Sequence, residues 1–170
     1  MYSLQAAPES IPVVHSNWYP PVAVERQNEE YARLLMPDLA SAASEMTTVH
    51  QYLFQSWMVG QPTARRVIER MVQVEQRHFT IIGRLIALLG GMPECRSREP
   101  MSYWRGSMVD YDCDLRGLLS SNAKSEQFAA QTYAEQAKQV QDAKVSQMLE
   151  RLSLDEQLHH QIFCDFLAQL

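Results

Sequence analysis

The stretch Glu75-Gln-Arg-His78 is a Glu-x-x-His motif, and Glu156-Gln-Leu-His159 repeats it 81 residues later. Each motif follows a lone glutamate, Glu45 or Glu126, by 30 residues. Residues three apart on a helix share a face, so each motif can direct an oxygen and a nitrogen ligand to one point. Two such motifs and two further glutamates, each on its own helix, are the ligand set of carboxylate-bridged two-metal sites in four-helix bundles.

The 81-residue repeat extends beyond these residues. Tyr52 and Tyr133 each follow the lone glutamate by seven positions. Further matches at this offset pair Glu69-Arg70 with Glu150-Arg151, Gln76 with Gln157, Ile81 with Ile162, Ala87 with Ala168 and Leu89 with Leu170. A unit of about 80 residues is too long for a solenoid repeat. The pattern therefore predicts a helical hairpin used twice in one bundle.

Length and composition favour a single globular domain. The 170 residues are 46% hydrophobic, which is enough for a substantial core. The net charge of −5 offers no basic patch, so nucleic acid is not expected as a partner. No membrane span is expected either, because Arg84 interrupts the best apolar run, at 81–89, far short of the roughly 20 residues required.

The cysteines indicate a reducing compartment. Cys95, Cys113 and Cys164 are widely spaced and form no Cys-x-x-Cys motif, which excludes a four-cysteine iron–sulfur module and favours free thiols. No positive charge precedes Arg26 and no apolar signal core is present, so we expect no export signal. The predicted location is the cytoplasm.

The chain divides into an arm and a bundle. Residues 1–28 contain four prolines and are predicted to form an extended N-terminal arm. Trp18 and Tyr19 favour packing of this arm on the bundle or on a neighbouring subunit, and a disordered tail is the alternative. Helical spacing begins near Glu29, so residues 29–170 are predicted to form the bundle.

Four long helices are predicted. Pro37 should kink or restart the first, and Gly90-Gly91 should end the second. Asp112 or Asp114 should cap the third. Short links make two antiparallel hairpins, and the irregular connection at 91–112, which contains Pro93 and Pro100, allows one crossover. The predicted helices span about residues 29–60 and 63–89, then from the residue after Asp112 or Asp114 to 141, and finally 143–170.

The proposed ligands also satisfy a charge balance. Four carboxylates neutralise two divalent cations when both imidazoles are neutral, and the lone glutamates could bridge or clamp both ions. Isolated Glu-x-x-His pairs commonly mark a solvated helix face, which is the alternative. Burying four carboxylates without metal would cost several kcal/mol each. The predicted metal ligands are Glu45, Glu75, His78, Glu126, Glu156 and His159.

The sequence allows more than one role for three residues near the predicted ligands. Tyr52 and Tyr133 could donate hydrogen bonds to ligand carboxylates, could supply an electron to an oxidised centre, or could be ordinary core tyrosines. We treat both as candidate catalytic residues that do not bind metal. Asp155 could accept the free ring N–H of His78, or could lie on the surface.

The positions one turn beyond the lone glutamates carry small side chains. Thr48, Ala129 and Ala130 could leave room for dioxygen or peroxide, although close helix packing explains the alanines equally well. His50 and His160 are predicted to lie outside the metal site, because their helical positions direct them away from the proposed ligands.

Residues 29–170 resemble the ferritin-like superfamily, in particular its small bacterial rubrerythrin-like and manganese-catalase-like members. The resemblance implies an all-α, ferritin-like four-helix bundle and a di-iron or di-manganese centre on the six residues above. It is carried by Ser44-Glu45 with Gln51-Tyr52, by Glu75-Gln-Arg-His78 with Leu88-Leu-Gly-Gly91, by Glu126 with Tyr133, by Asp155-Glu-Gln-Leu-His159, and by the stretch at 103–111.

The sequence also departs from these relatives. No fifth helix is predicted, which argues against the storage cages of true ferritins, and no rubredoxin segment is present to deliver electrons as in rubrerythrins. Manganese catalases usually carry longer extensions than 170 residues allow. The resemblance makes a homodimer through the bundle faces the expected assembly.

The leading hypothesis is redox chemistry on dioxygen or hydrogen peroxide at two divalent metal ions, iron or manganese. Iron would imply ferroxidase or peroxidase activity, with an external electron donor where one is needed, and manganese would imply catalase-like activity. The alternatives are a non-catalytic iron-handling or storage protein, a structural bundle with a vestigial metal site, and an oxygenase for an organic substrate.

Overall fold

The computed structural model describes residues 1–96 and 103–170. Within these ranges the fold is all-α, with short 3₁₀ turns at Pro8–Ser10 and Gly106–Met108. None of the helices described there is long and apolar enough to cross a membrane. The helices are α1 (Glu29–Leu39), α2 (Glu45–Met58), α3 (Pro62–Leu88), α4 (Leu115–Gln139) and α5 (Ala143–Leu167).

Polar caps set where the helices begin. The Asn28 side chain accepts hydrogen bonds from the first backbone N–H groups of α1, and Ser44 does the same for α2. Asp114, rather than Asp112, caps α4. Gly90 adopts a φ of 90°, a left-handed conformation that favours glycine, and so ends α3 where the sequence predicts.

The first predicted helix is divided into α1 and α2. Pro37 lies inside α1, and the break comes later, at residues 40–44. The helix therefore restarts at Glu45 rather than at Pro37 itself. A proline removes one helical hydrogen bond at its own position, and here the chain leaves the helix only after Leu39, where Ser44 offers a new cap. Residues 1–96 and 103–170 therefore contain five α-helices where four were predicted.

The bundle consists of two antiparallel hairpins. The first joins α2 to α3, with α1 also packed on α3, and the second joins α4 to α5. The long connection between Leu88 and Leu115 carries the chain from one hairpin to the other, giving the predicted crossover topology. Pro100, which the sequence assigns to this connection, lies outside the described residues.

Two hydrophobic cores lie at opposite ends of the bundle. On α3, residues 67–74 belong to one core and residues 81–89 to the other. On α5 the order is reversed, because residues 145–152 belong to the second core and residues 162–166 to the first. Each Glu-x-x-His motif therefore lies between the two cores, in a polar layer across the middle of the bundle.

The N-terminal residues pack on the bundle. Leu4, Ile11 and Val13 are buried in one of the cores, whereas Trp18 is 94% exposed. The Arg70 guanidinium donates to the backbone carbonyls of Pro8 and Ile11, and the Arg151 guanidinium donates to those of His15 and Asn17. Arg70 and Arg151 are matched positions of the 81-residue repeat. Each hairpin therefore holds one part of the arm at residues 1–28, hereafter the N-terminal segment.

A buried acid joins the two hairpins. Asp38 on α1 accepts a hydrogen bond of 2.8 Å from the Gln136 side chain on α4. Burial raises the pKa of Asp38 from 3.8 to about 7, against the smaller opposing effect of the Gln136 hydrogen bond. The folded-state pKa of Asp38 exceeds its unfolded value. The contribution of Asp38 to the free energy of unfolding is therefore fully present below pH 3.8 and is lost as the pH rises through about 7.

We expect Asp38→Asn to remove this loss, because the amide keeps the acceptor for Gln136 without ionising. The free energy of unfolding of the variant should exceed that of the wild type at neutral pH by up to about 4 kcal/mol. Denaturant unfolding across the acidic and neutral range measures the difference. A difference that does not change with pH would show that Asp38 does not titrate in this way.

Candidate metal centre

The six predicted ligands come together between the two cores. Each residue is at most 4% exposed. The solvated-face alternative is therefore wrong for both Glu-x-x-His motifs. The structure places Glu45 on α2, Glu75 and His78 on α3, Glu126 on α4, and Glu156 and His159 on α5.

The ligand atoms form two overlapping groups. One group consists of Glu45, Glu75, His78 and Glu156, and the other of Glu75, Glu126, Glu156 and His159. Within each group the four potential ligand atoms lie within 4.8 Å of one another. Each group supplies three carboxylates and one imidazole.

The shared carboxylates are not those that the sequence suggested. The lone glutamates, Glu45 and Glu126, were expected to bridge or clamp both ions, but each enters one group only. Glu75 and Glu156 enter both, because each reaches across to the histidine of the other motif. The carboxylates common to both groups are therefore those of the Glu-x-x-His motifs on α3 and α5.

Both histidines direct the same ring nitrogen at the carboxylates. His78 Nδ1 lies 2.9 Å from Glu156 Oε1 and 3.4 Å from Glu75 Oε2. His159 Nδ1 lies 2.8 Å from Glu75 Oε1 and 3.5 Å from Glu156 Oε2. The two halves of the cluster are thus nearly equivalent, as the 81-residue repeat predicts.

The cluster contains buried polar atoms that a cation would satisfy. Glu75 Oε1, Glu156 Oε2 and His159 Nδ1 have no aligned hydrogen-bond partner among the described residues, although the first and last lie 2.8 Å apart. Buried polar atoms without a partner are rare in folded proteins. Carboxylate oxygens and imidazole nitrogens are ligands that both iron and manganese accept, so this donor set fits either metal.

The pKa values of the acids in the cluster are shifted in opposite directions. Burial, together with repulsion from Glu156, raises the pKa values of Glu45 and Glu126 well above the usual range. Burial also opposes ionisation of Glu156, but attraction to His78 and His159 outweighs it and lowers the pKa of Glu156. Protons therefore compensate part of the buried charge in the metal-free protein, and cations would replace them.

Tyr52 and Tyr133 connect the hairpins through the cluster. The Tyr52 hydroxyl on α2 donates to Glu126 on α4, and the Tyr133 hydroxyl on α4 donates to Glu45 on α2. Burial, together with the facing carboxylate, raises the pKa of both phenols well above the usual value. Both tyrosines therefore remain neutral hydrogen-bond donors to the lone glutamates.

The other ring nitrogen of each histidine, Nε2, points away from the carboxylates and contacts the N-terminal segment, and in His78 also Asp155. His159 Nε2 lies 2.8 Å from the backbone oxygen of Val13. His78 Nε2 lies 3.1 Å from Asp155 Oδ2 and 3.2 Å from the Tyr19 hydroxyl. Asp155 is buried, so its surface alternative is wrong, and it lies where the sequence suggested for orienting His78.

The Asp155 carboxylate is held ionised by its donors. Burial opposes its charge, but the hydrogen bonds and charge of His78, with smaller contributions from Tyr19 and the backbone N–H of His15, lower its pKa to about 2. Arg151 Nη1 lies a further 2.8 Å from Asp155 Oδ1. Asp155 therefore accepts hydrogen bonds from three groups and forms an ion pair with a fourth.

Sequence reasoning missed Tyr19, Arg151 and the Val13 carbonyl. Arg151 and Asp155 are four residues apart on α5, and this spacing was a readable signal for an ion pair. Val13 and His159 are 146 residues apart, and a backbone carbonyl carries no side-chain signature. Nothing in the sequence marks the contacts of the N-terminal segment with the histidines.

A small cavity reaches the side of the cluster that carries the lone glutamates and the tyrosines. Its volume is about 50 Å³, and the exposed Ala42 and Ala43 line it at the break between α1 and α2. Thr48 and Ala129 line its wall, as the sequence suggested, whereas Ala130 is buried and does not. At 10–15 Å³ per water, the cavity holds about three to five water-sized molecules.

His50 and His160 lie outside the cluster, as predicted. His50 is exposed, and its Nδ1 lies 2.7 Å from the Met46 carbonyl. His160 Nδ1 lies 2.7 Å from the carbonyl of Ala123. Both therefore contact helix carbonyls rather than metal-ligand atoms.

Comparison with known proteins gives a consistent assignment. Residues 40–170 match the family model described as a ferritin-like domain. A probable manganese catalase of Clostridium acetobutylicum is 28% identical over 172 aligned positions, covering 88% of this chain and 75% of the relative.

Two solved structures share the fold. The manganese catalase KatB from Anabaena superposes with a TM-score of 0.76 at 24% identity, covering 88% of this chain and 77% of its own. The bacterioferritin-related protein of Bacteroides fragilis, described as a dodecameric thioferritin, superposes with a TM-score of 0.70 at 20% identity, covering 85% and 88%.

Proposed function

The chain belongs to the ferritin-like domain family, and we propose that its six buried carboxylate and histidine residues hold two manganese ions that disproportionate hydrogen peroxide. The observation that carries the proposal is the pair of ligand groups that share Glu75 and Glu156. Two adjacent sites with common carboxylates are what a pair of bridged ions requires. The similarity to the probable manganese catalase of Clostridium acetobutylicum and to the manganese catalase of Anabaena supports the choice of metal and substrate.

The ligand set suits two divalent cations held close together. Four carboxylates balance four positive charges, so the buried layer would carry no net charge with both imidazoles neutral. A pair of manganese ions held there would supply two-electron redox chemistry, by which two molecules of hydrogen peroxide become dioxygen and two waters. Peroxide acts as both oxidant and reductant in this reaction, and no external electron donor is needed.

The residues around the cluster would position the lone glutamates and limit the size of the substrate. Tyr52 and Tyr133 donate to Glu126 and Glu45 and so hold these two carboxylates at the inner end of the cavity. The cavity volume of about 50 Å³ admits peroxide or dioxygen and leaves little space for an organic substrate. The oxygenase alternative is therefore disfavoured by size.

The direct test compares metal-free protein reloaded with manganese or with iron. The manganese form should release one dioxygen for every two molecules of hydrogen peroxide consumed, as followed with an oxygen electrode. Absence of dioxygen release from protein that has bound manganese would reject the catalase assignment. Oxidation of ferrous iron by dioxygen in the iron form, without peroxide turnover in the manganese form, would instead favour iron handling.

The cavity provides a second test of the same proposal. Ala129→Phe places a large side chain on the cavity wall and should reduce peroxide turnover while metal content stays at the wild-type level. Gln131→Phe is the matched control, because Gln131 is exposed on the same helix and does not line the cavity. Equal turnover in the two variants would mean that peroxide reaches the cluster by another path.

A further inference from the structure

We propose that residues 13–19 of the N-terminal segment are part of the metal centre, where they fix the outer nitrogens of both ligand histidines and help make the His78 half the tighter of the two metal sites. The inference rests on the ligand assignment made above, and it concerns residues outside the matched ferritin-like domain, which begins at residue 40.

The segment supplies an acceptor for each ligand imidazole. His159 Nε2 donates to the Val13 carbonyl at 2.8 Å, and His78 Nε2 lies 3.2 Å from the Tyr19 hydroxyl oxygen. A neutral imidazole carries one ring proton, so a proton held on Nε2 leaves Nδ1 free to bind metal. Nδ1 is the nitrogen that both histidines direct at the carboxylates.

Arg151 holds the segment in this position. Its guanidinium donates to the carbonyls of Asn17 at 2.7 Å and His15 at 3.0 Å, and lies 4.0 Å from the centroid of the Tyr19 ring. Arg151 is only 4% exposed. The same guanidinium contacts Asp155, so one buried cation links the segment to the partner of His78.

The two histidines have different kinds of partner. His159 faces a neutral carbonyl, whereas His78 faces the Asp155 carboxylate, which also accepts from the Tyr19 hydroxyl and from the backbone N–H of His15. A carboxylate partner strengthens a histidine as a metal ligand more than a neutral acceptor does. The metal group that contains His78 should therefore bind its ion more tightly.

Titration of the metal-free protein with manganese(II), followed by calorimetry, tests the proposal. The wild type should bind two ions in two steps, and His78→Ala should lack the tighter step. Tyr19→Phe removes one hydroxyl and should weaken the tighter step by about 10- to 100-fold. The weaker step and the melting temperature of the metal-free protein should not change.

Tyr31→Phe is the matched control. The Tyr31 hydroxyl accepts a hydrogen bond of 3.0 Å from the backbone of Gln141 and contacts no residue of the metal groups in the described structure. Both binding steps should match the wild type in this variant. If Tyr19→Phe does not fold, Asp155→Asn replaces it in the same titration, because it removes the charge that Tyr19 positions.

Three results would overturn the proposal. Binding by Tyr19→Phe identical to the wild type would reject the role of the segment and leave the ligand assignment intact. Equal weakening of both steps, or a lower melting temperature of the metal-free variant, would indicate a general structural role. Failure of the wild type to bind manganese would reject the proposed function together with this inference.

Discussion

Replacing His78 with alanine is expected to leave roughly one metal ion per chain, whereas Glu156→Ala is expected to leave almost none. The difference follows from the geometry of the two ligand groups. His78 belongs to one group only, so its loss leaves the group around His159 complete. Glu156 belongs to both groups, so its loss removes a shared carboxylate from each.

Metal analysis after identical reconstitution measures both effects, and His160→Ala is the control. His160 adjoins the ligand His159 in sequence but contacts the Ala123 carbonyl on α4 rather than a metal group. It should therefore retain about two ions per chain. Wild-type metal content in His78→Ala and Glu156→Ala would contradict the ligand assignment, and equal losses in both would contradict the shared role of Glu156.

Removing the metal is expected to lower the melting temperature by about 15–30 °C. With free manganese at 1,000 times the dissociation constant of each site, each ion would add about 4 kcal/mol to the free energy of unfolding. For a chain of this size each kcal/mol corresponds to about 2–4 °C. The metal-free protein should remain helical, because the two hydrophobic cores lie on either side of the polar layer and do not depend on it.

Glu126→Gln should separate metal binding from other sources of stability. Burial raises the pKa of Glu126, so a neutral amide resembles the protonated acid of the metal-free protein. Glu126 belongs to one ligand group only. The rise in melting temperature on manganese binding should therefore be about half that of the wild type, while the melting temperature of the metal-free protein is unchanged. Calorimetric melting with and without manganese measures this, and an increment equal to that of the wild type would place Glu126 outside the site.

The residues of the buried cluster could be predicted from the sequence because their signal is local. Glu75 and His78 are three residues apart, and helical geometry alone brings them to one face. The internal repeat then identified Glu156 and His159 as the matching pair. Which carboxylates are shared depends on the directions in which α3 and α5 face each other, and that information is not local. The sequence therefore did not indicate that Glu75 and Glu156, rather than Glu45 and Glu126, belong to both groups.

The N-terminal segment shows where sequence reasoning ends. Four prolines predicted an irregular arm, and Trp18 and Tyr19 were considered together as packing residues. In the structure Tyr19 contacts His78, while Trp18 is almost entirely exposed. Successive residues of an extended chain point in opposite directions, and only the path of the backbone decides which of them faces the bundle. A homodimer and a cytoplasmic location remain predictions.

The most direct test of the two-metal centre is elemental analysis of protein purified without chelators, with manganese, iron and zinc quantified per chain. The geometry of the two ligand groups predicts about two ions per chain, and the proposed function predicts that manganese is the dominant metal. Protein that contains no metal and also fails to take up manganese or iron on reconstitution would contradict the metal centre. The buried carboxylates and histidines would then be a structural feature of the bundle alone.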